Sequence, residues 1–343
     1  MKTLPLRSNI AYSLPVALCL GLAATPSVRA ANFTTNTQQA AGANWNAAIW
    51  NPGPVSPTAG STYEVLVGGR VRPPDGSTGA GGTGLDGQTF TFPGDSLTLD
   101  GVGFSTTGQS GELRLKQGFN GATFAFPGVG GNPGLIFNGG ILNDGDDRIM
   151  TLSGLARVQA GTTSSINPGG GATTDISAPR AFIFSISLTG GGKLALDYGH
   201  DTGTPALRID SSNPLFTGDW LVNSGWLKGA GLNSLGFGNI FLNSTQGAST
   251  LDLDYDLNNP AGSLTLAGTT SKLILDQNLT LGAVTINGTS LTPGVHTFAE
   301  LNAAFDGNIV DGGTGTVTVV PEPSSAVALL AGIPIVVRRR RRN

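Results

Sequence analysis

The chain has 343 residues, of which 53 are glycine and one is cysteine, and charged residues make up only 12%. Hydrophobic residues nevertheless reach 39% and fall in alternating runs, which excludes the disorder typical of poorly hydrophobic, highly charged chains. Residues 31–337 hold 11 basic against 22 acidic side chains, a balance that disfavours nucleic acid and anionic lipid as partners, since both need a cationic surface.

Residues 1–30 read as a secretory signal peptide. Lys2 and Arg7 make a positive start, 10–24 is mostly apolar, and Val28-Arg29-Ala30 fits the small-x-small rule for cleavage after Ala30. Cys19 lies inside this segment, so the exported body is expected to have neither disulfide nor thiol chemistry. Leu18, just before Cys19, is too bulky for a lipoprotein signal.

Residues 31–84 form the next region. Trp45 and Trp50 stand among asparagines, ahead of the strand-like Tyr63-Glu64-Val65-Leu66-Val67, and the Gly-rich run 76–87 reads as a flexible loop. A solenoid must cover its open end coil, and the two tryptophans suit that N-terminal cap.

Residues 85–318 alternate with period two. Phe90-Thr91-Phe92, Leu97-Thr98-Leu99, Leu113-Arg114-Leu115, Phe124-Ala125-Phe126, Leu194-Ala195-Leu196, Leu264-Thr265-Leu266, Leu279-Thr280-Leu281 and Val317-Thr318-Val319 each place apolar residues on one strand face. Gly, Asn, Asp and Pro clusters punctuate the runs. The pattern predicts an all-β protein, a right-handed parallel β-helix, with a stacked β-sandwich as the alternative. Two similar pieces, 94–101 and 261–268, suggest reuse of one coil unit. Thr297 and Glu300 fit a capping box opening a short helix, with Phe298, Leu301 and Phe305 on one side, as a C-terminal cap.

Titratable groups offer little chemistry. Asp144, Asp146 and Asp147, beside Arg148, read either as oxygen ligands for a structural calcium ion or as a polar turn. Asp252, Asp254 and Asp256 alternate with Leu251, Leu253 and Tyr255 and are expected on an outer strand face. Paired carboxylates serve glycan cleavage at about 5–9.5 Å, so these mark the enzyme alternative. His200 and His296 read as solvated loop residues, and no hydrolase elbow, zinc pair or phosphate loop appears, so no catalytic residue or cofactor is assigned.

Two resemblances follow from these residues. The unit from Phe216 through Trp220, Trp226, Phe241 and Leu253, residues 216–253, resembles the autotransporter-associated β-strand repeat of secreted β-helical proteins. The starting segment around Trp45 and Trp50 and the closing segment 291–319 are similar to the ends of such proteins. The tail 319–343 combines Pro321-Glu322-Pro323, the apolar run 326–337 and Arg338, Arg339, Arg340, Arg341 and Arg342, and it resembles a PEP-CTERM sorting signal. Physically, the prolines keep Glu322 extended and accessible, while the arginines resist crossing a membrane. Twelve apolar residues give about 18 Å of helix, short of the ~30 Å hydrocarbon core, which suits a temporary inner-membrane hold. The resemblance implies an exosortase-type processing enzyme as partner and a bacterial cell-surface or extracellular destination. The expected function is a structural or adhesive matrix protein, with exopolysaccharide or cell-surface glycan as a further partner. The alternative is a β-helical polysaccharide lyase or glycoside hydrolase.

Overall fold

Every turn residue that interrupts the alternating sequence returns the chain to the same two sheets. The computed structural model describes residues 31–35, 44–53, 55–74, 87–102, 110–115, 121–144, 149–168, 182–197 and 206–320. Within these, a 14-stranded and a 12-stranded sheet take strands by turns as the chain proceeds. Met150–Val158 is followed by Thr163–Asn167 on the opposite sheet, then Phe182–Gly190 returns to the first and Lys193–Leu196 to the second. The strands pair in parallel from coil to coil; among the described strands only Thr289–Ser290 and Gly294–Thr297, near the C-terminal end, pair antiparallel. This is a parallel β-helix and not an antiparallel sandwich.

The period-two pattern explains why the coils stack. On the 12-stranded sheet Val71, Leu113, Leu142, Ile166, Leu196, Val222, Leu242, Leu266 and Ile286 succeed one another in register. Each is at most 1% exposed. On the other sheet Met150, Phe182, Leu207, Leu227, Leu251, Leu273 and Ile309 do the same. A fully buried side chain of this kind contributes about 1.5–3 kcal/mol, and no single coil could bury its own row.

The 14-stranded sheet is creased. Met150–Val158 pairs through its first half with Ala122–Phe126 and through its second with Leu135–Asn138. Gly154 sits at the joint with φ +111°, and a Cβ there would lie 2.0 Å from the Phe126 carbonyl oxygen. On the 12-stranded sheet, Leu257–Leu266 pairs with Leu279–Ile286 through a register shift between Asn259 and Ser263. A coil with such a crease therefore has three strand segments, not two.

Both ends are covered. Trp45 and Trp50 are fully buried, and Trp50 Nε1 donates to the Trp45 carbonyl at 2.9 Å. Trp45 meets Phe92, Phe124 and Phe126 edge-on, and Trp50 meets Tyr63. At the other end the helix Phe298–Ala304 has the expected capping box between Thr297 and Glu300. Leu301 is buried, and Phe298 and Phe305 pack against the core.

Two expectations change. The similar pieces 94–101 and 261–268 are not equivalent, because Ser96–Asp100 belongs to the 14-stranded sheet and 263–266 to the other. Identical Leu-Thr-Leu alternation fits any face of a solenoid, so local similarity did not report position. The segment 216–253 holds Trp220–Val222 and Ile240–Leu242 of one sheet and Gly225–Gly229 and Ser249–Leu253 of the other. It therefore spans successive rungs of both sheets and more than one coil.

Candidate functional site

Charged side chains gather where Ala206–Ile209, Gly225–Gly229 and Ser249–Leu253 lie side by side. Leu227, Leu251 and Leu253 face the core, which turns Trp226, Lys228, Thr250 and Asp252 outward. The register sets Arg208 beside Lys228, and Lys228 beside Asp252. Lys228 Nζ lies 3.0 Å from Asp252 Oδ2 and 2.9 Å from Asp254 Oδ1. Arg208 Nε pairs with Asp210 at 2.6 Å. Trp226 folds over Ala206 and Ile183, so its bulk lies outside the core and leaves the inward Leu227 column undisturbed.

Burial and ion pairing act against each other in this cluster. The Lys228 and Asp252 side chains are 17% and 10% exposed, whereas Asp254 is 49% exposed. Burial pushes the Asp252 carboxyl up, against the opposing hydrogen bond and charge of Lys228, and the nearby Asp254 and Asp276 charges add to the rise. For Lys228 burial acts downward, but hydrogen bonds to Asp254 and Asp252 outweigh it and raise its pKa. A lysine held protonated is an ion-pair partner and not a general base. The expected outer face for the aspartates is seen in Asp254 and Asp256, which are exposed, whereas Asp252, paired with Lys228, is only 7% exposed. On that face Asp256 also accepts from the backbone N–H of Asn278 at 2.8 Å.

The same coil-to-coil use of polar groups recurs along the body. Asn243 Nδ2 donates to Asn223 Oδ1 at 3.2 Å, and Asn223 Nδ2 donates to Asp197 Oδ1 at 2.7 Å. Lys193 pairs with Asp219 at 3.2 Å, and Asn239 Nδ2 donates to the same carboxylate at 2.9 Å. Arg70 pairs with Glu112 at 2.6 Å, and Asn143 Nδ2 donates to that glutamate at 2.9 Å.

No family model, no curated protein and no solved structure matches this chain.

The remaining sequence candidates fall as follows. Asp144 ends the strand Ile141–Asp144, turned to the buried side with Leu142 and 2% exposed. Asp146 and Asp147 lie outside the described residues, and among the described residues no three His, Cys, Asp or Glu side chains gather as a metal site. Ala30, Pro321, Glu322, Pro323, His200 and all five terminal arginines also lie outside them. His296 donates from Nε2 to the Thr292 carbonyl at 2.8 Å. No helix of the described residues is long and apolar enough to cross a membrane. Sequence reasoning did not single out Lys228. The Trp226-Leu227-Lys228 alternation carried its outward direction, but only the register between coils shows that it meets two aspartates.

Proposed function

We propose that this protein is an exported structural or adhesive β-helix of the bacterial surface or extracellular matrix, sorted through Pro321-Glu322-Pro323, the apolar run 326–337 and the arginines 338–342. One observation carries the reading of the body: several outer charges and amides are engaged from coil to coil, as in Lys228 with Asp252 and Asn223 with Asp197. Such ties stiffen a scaffold and present a polar face for many weak contacts, which add through multivalency. Glycan fits as the partner class, because a body with twice as many acidic as basic residues disfavours polyanions. For the glycan-cleaving alternative, Asp252 and Asp254 are a poor acid–base pair while they share one ammonium.

The test is cell fractionation of the full chain in a bacterium that carries an exosortase-type enzyme, beside the variant Glu322→Ala. The wild type is expected in the surface or extracellular fraction, and the variant at the inner membrane. Equal distribution of both would remove the sorting role of Glu322, and a cytosolic wild type would overturn the proposal.

A further inference from the structure

We propose that Lys228 and Asp252 become joined by a side-chain amide after folding, with Asp254 carrying the proton, so that two successive coils are tied covalently. The geometry points to it. The two residues are direct register partners on parallel strands, and the lysine nitrogen already rests 3.0 Å from the Asp252 carboxyl and 2.9 Å from a second carboxyl. Well-oriented groups held together within one molecule reach effective concentrations of about 10⁵–10⁸ M.

The step balances without any co-reactant. Lys228 Nζ gives a proton to the Asp252 carboxylate, leaving a neutral amine beside a neutral acid. The nitrogen lone pair attacks Asp252 Cγ and the N–C bond forms. Asp254 takes the proton from the added nitrogen and returns it to the departing hydroxyl. The C–O bond breaks and one water leaves; nothing is oxidised or reduced.

Asp252 is the acceptor and Asp254 the carrier because of where they sit. Asp252 is covered and its burial favours the neutral acid that the reaction consumes, whereas Asp254 is half exposed and can exchange protons with solvent. The resting form is the ion pair, since Lys228 is held protonated. The amide therefore forms slowly, from the minor neutral pair. It accumulates because the reverse step needs water at a covered carbonyl. The inference rests on this cluster alone and is independent of export.

Peptide mapping of the full-length folded protein, aged at neutral pH, tests it. The expected result is that trypsin leaves residues 209–272 as one looped peptide, uncut after Lys228 and lighter by one water than the linear chain of that span, which a further cut by chymotrypsin after Phe237 opens into a branched pair. Recovery of both segments only as linear peptides of unchanged mass, with cleavage after Lys228, overturns the proposal on the wild type itself. In Asp252→Ala the branch is expected to vanish, and in Asp254→Asn to form at least ten-fold more slowly. An unchanged rate in Asp254→Asn would refute its part as proton carrier.

Discussion

One amide at Asn308 closes the last coil. The residue is 1% exposed; its Nδ2 donates to the carbonyls of Gly268 at 2.9 Å and Ser271 at 2.7 Å, and its Oδ1 accepts from Asn287 at 2.7 Å. The Ser271 carbonyl is buried, and a buried acceptor left without a donor costs about 1–3 kcal/mol, whereas Gly268 is exposed and still accepts from the Ser271 N–H at 3.3 Å. Asn308→Ala is therefore expected to lower stability by about 1–3 kcal/mol, read as a lower midpoint in urea unfolding. At Glu64 the relevant variable is pH. Burial first, and the charge of Asp100 second, raise the Glu64 carboxyl above its ordinary value of 4.5. A raised carboxyl contributes stability below its unfolded pKa and loses it as pH rises through the folded one. Relative to wild type, Glu64→Gln should thus gain stability as pH climbs from below 4.5, and a flat difference across that range would contradict the assignment. Glu300 has the opposite sign: its bonds to Thr297 lower its pKa, so the capping box is held above 4.5 and released as pH falls through the lowered value. That box was legible because Thr297 and Glu300 are three residues apart; Lys228 and Asp252 were not, since their contact depends on register.

At the scale of the strand, alternation told which side chains face the core but not which face of the coil a strand joins. Leu97-Thr98-Leu99 and Leu264-Thr265-Leu266 read alike and stand on different sheets. Glycine misled in a similar way. Most glycine clusters were read as turns, yet Gly154 lies inside the strand Met150–Val158, where its positive φ lets one strand run past two partners. A side chain there meets the Phe126 carbonyl and a backbone conformation that L-residues resist. Gly154→Ala is expected to cost about 1–3 kcal/mol, more than a substitution at Gly161, which has φ +80° but open space around a Cβ. Equal thermal shifts for the two variants would remove the crease from the account.

Across the whole body, the fold was legible because a solenoid repeats one physical solution, and the two tryptophans and the capping box marked the covered ends. Function was less legible, because contacts such as Lys228 with Asp252 and Asn223 with Asp197 depend on the register between coils, which no short sequence motif records. The proposed export depends instead on the two terminal segments, which act through their order of charge, apolar run and proline. Intact-mass measurement of protein recovered outside the cell tests that claim most directly. The account predicts a chain that begins at Ala31 and has lost the arginines beyond the Pro321–Pro323 motif. A full-length species retaining Met1 and Arg342, found only in the cytosol, would contradict it.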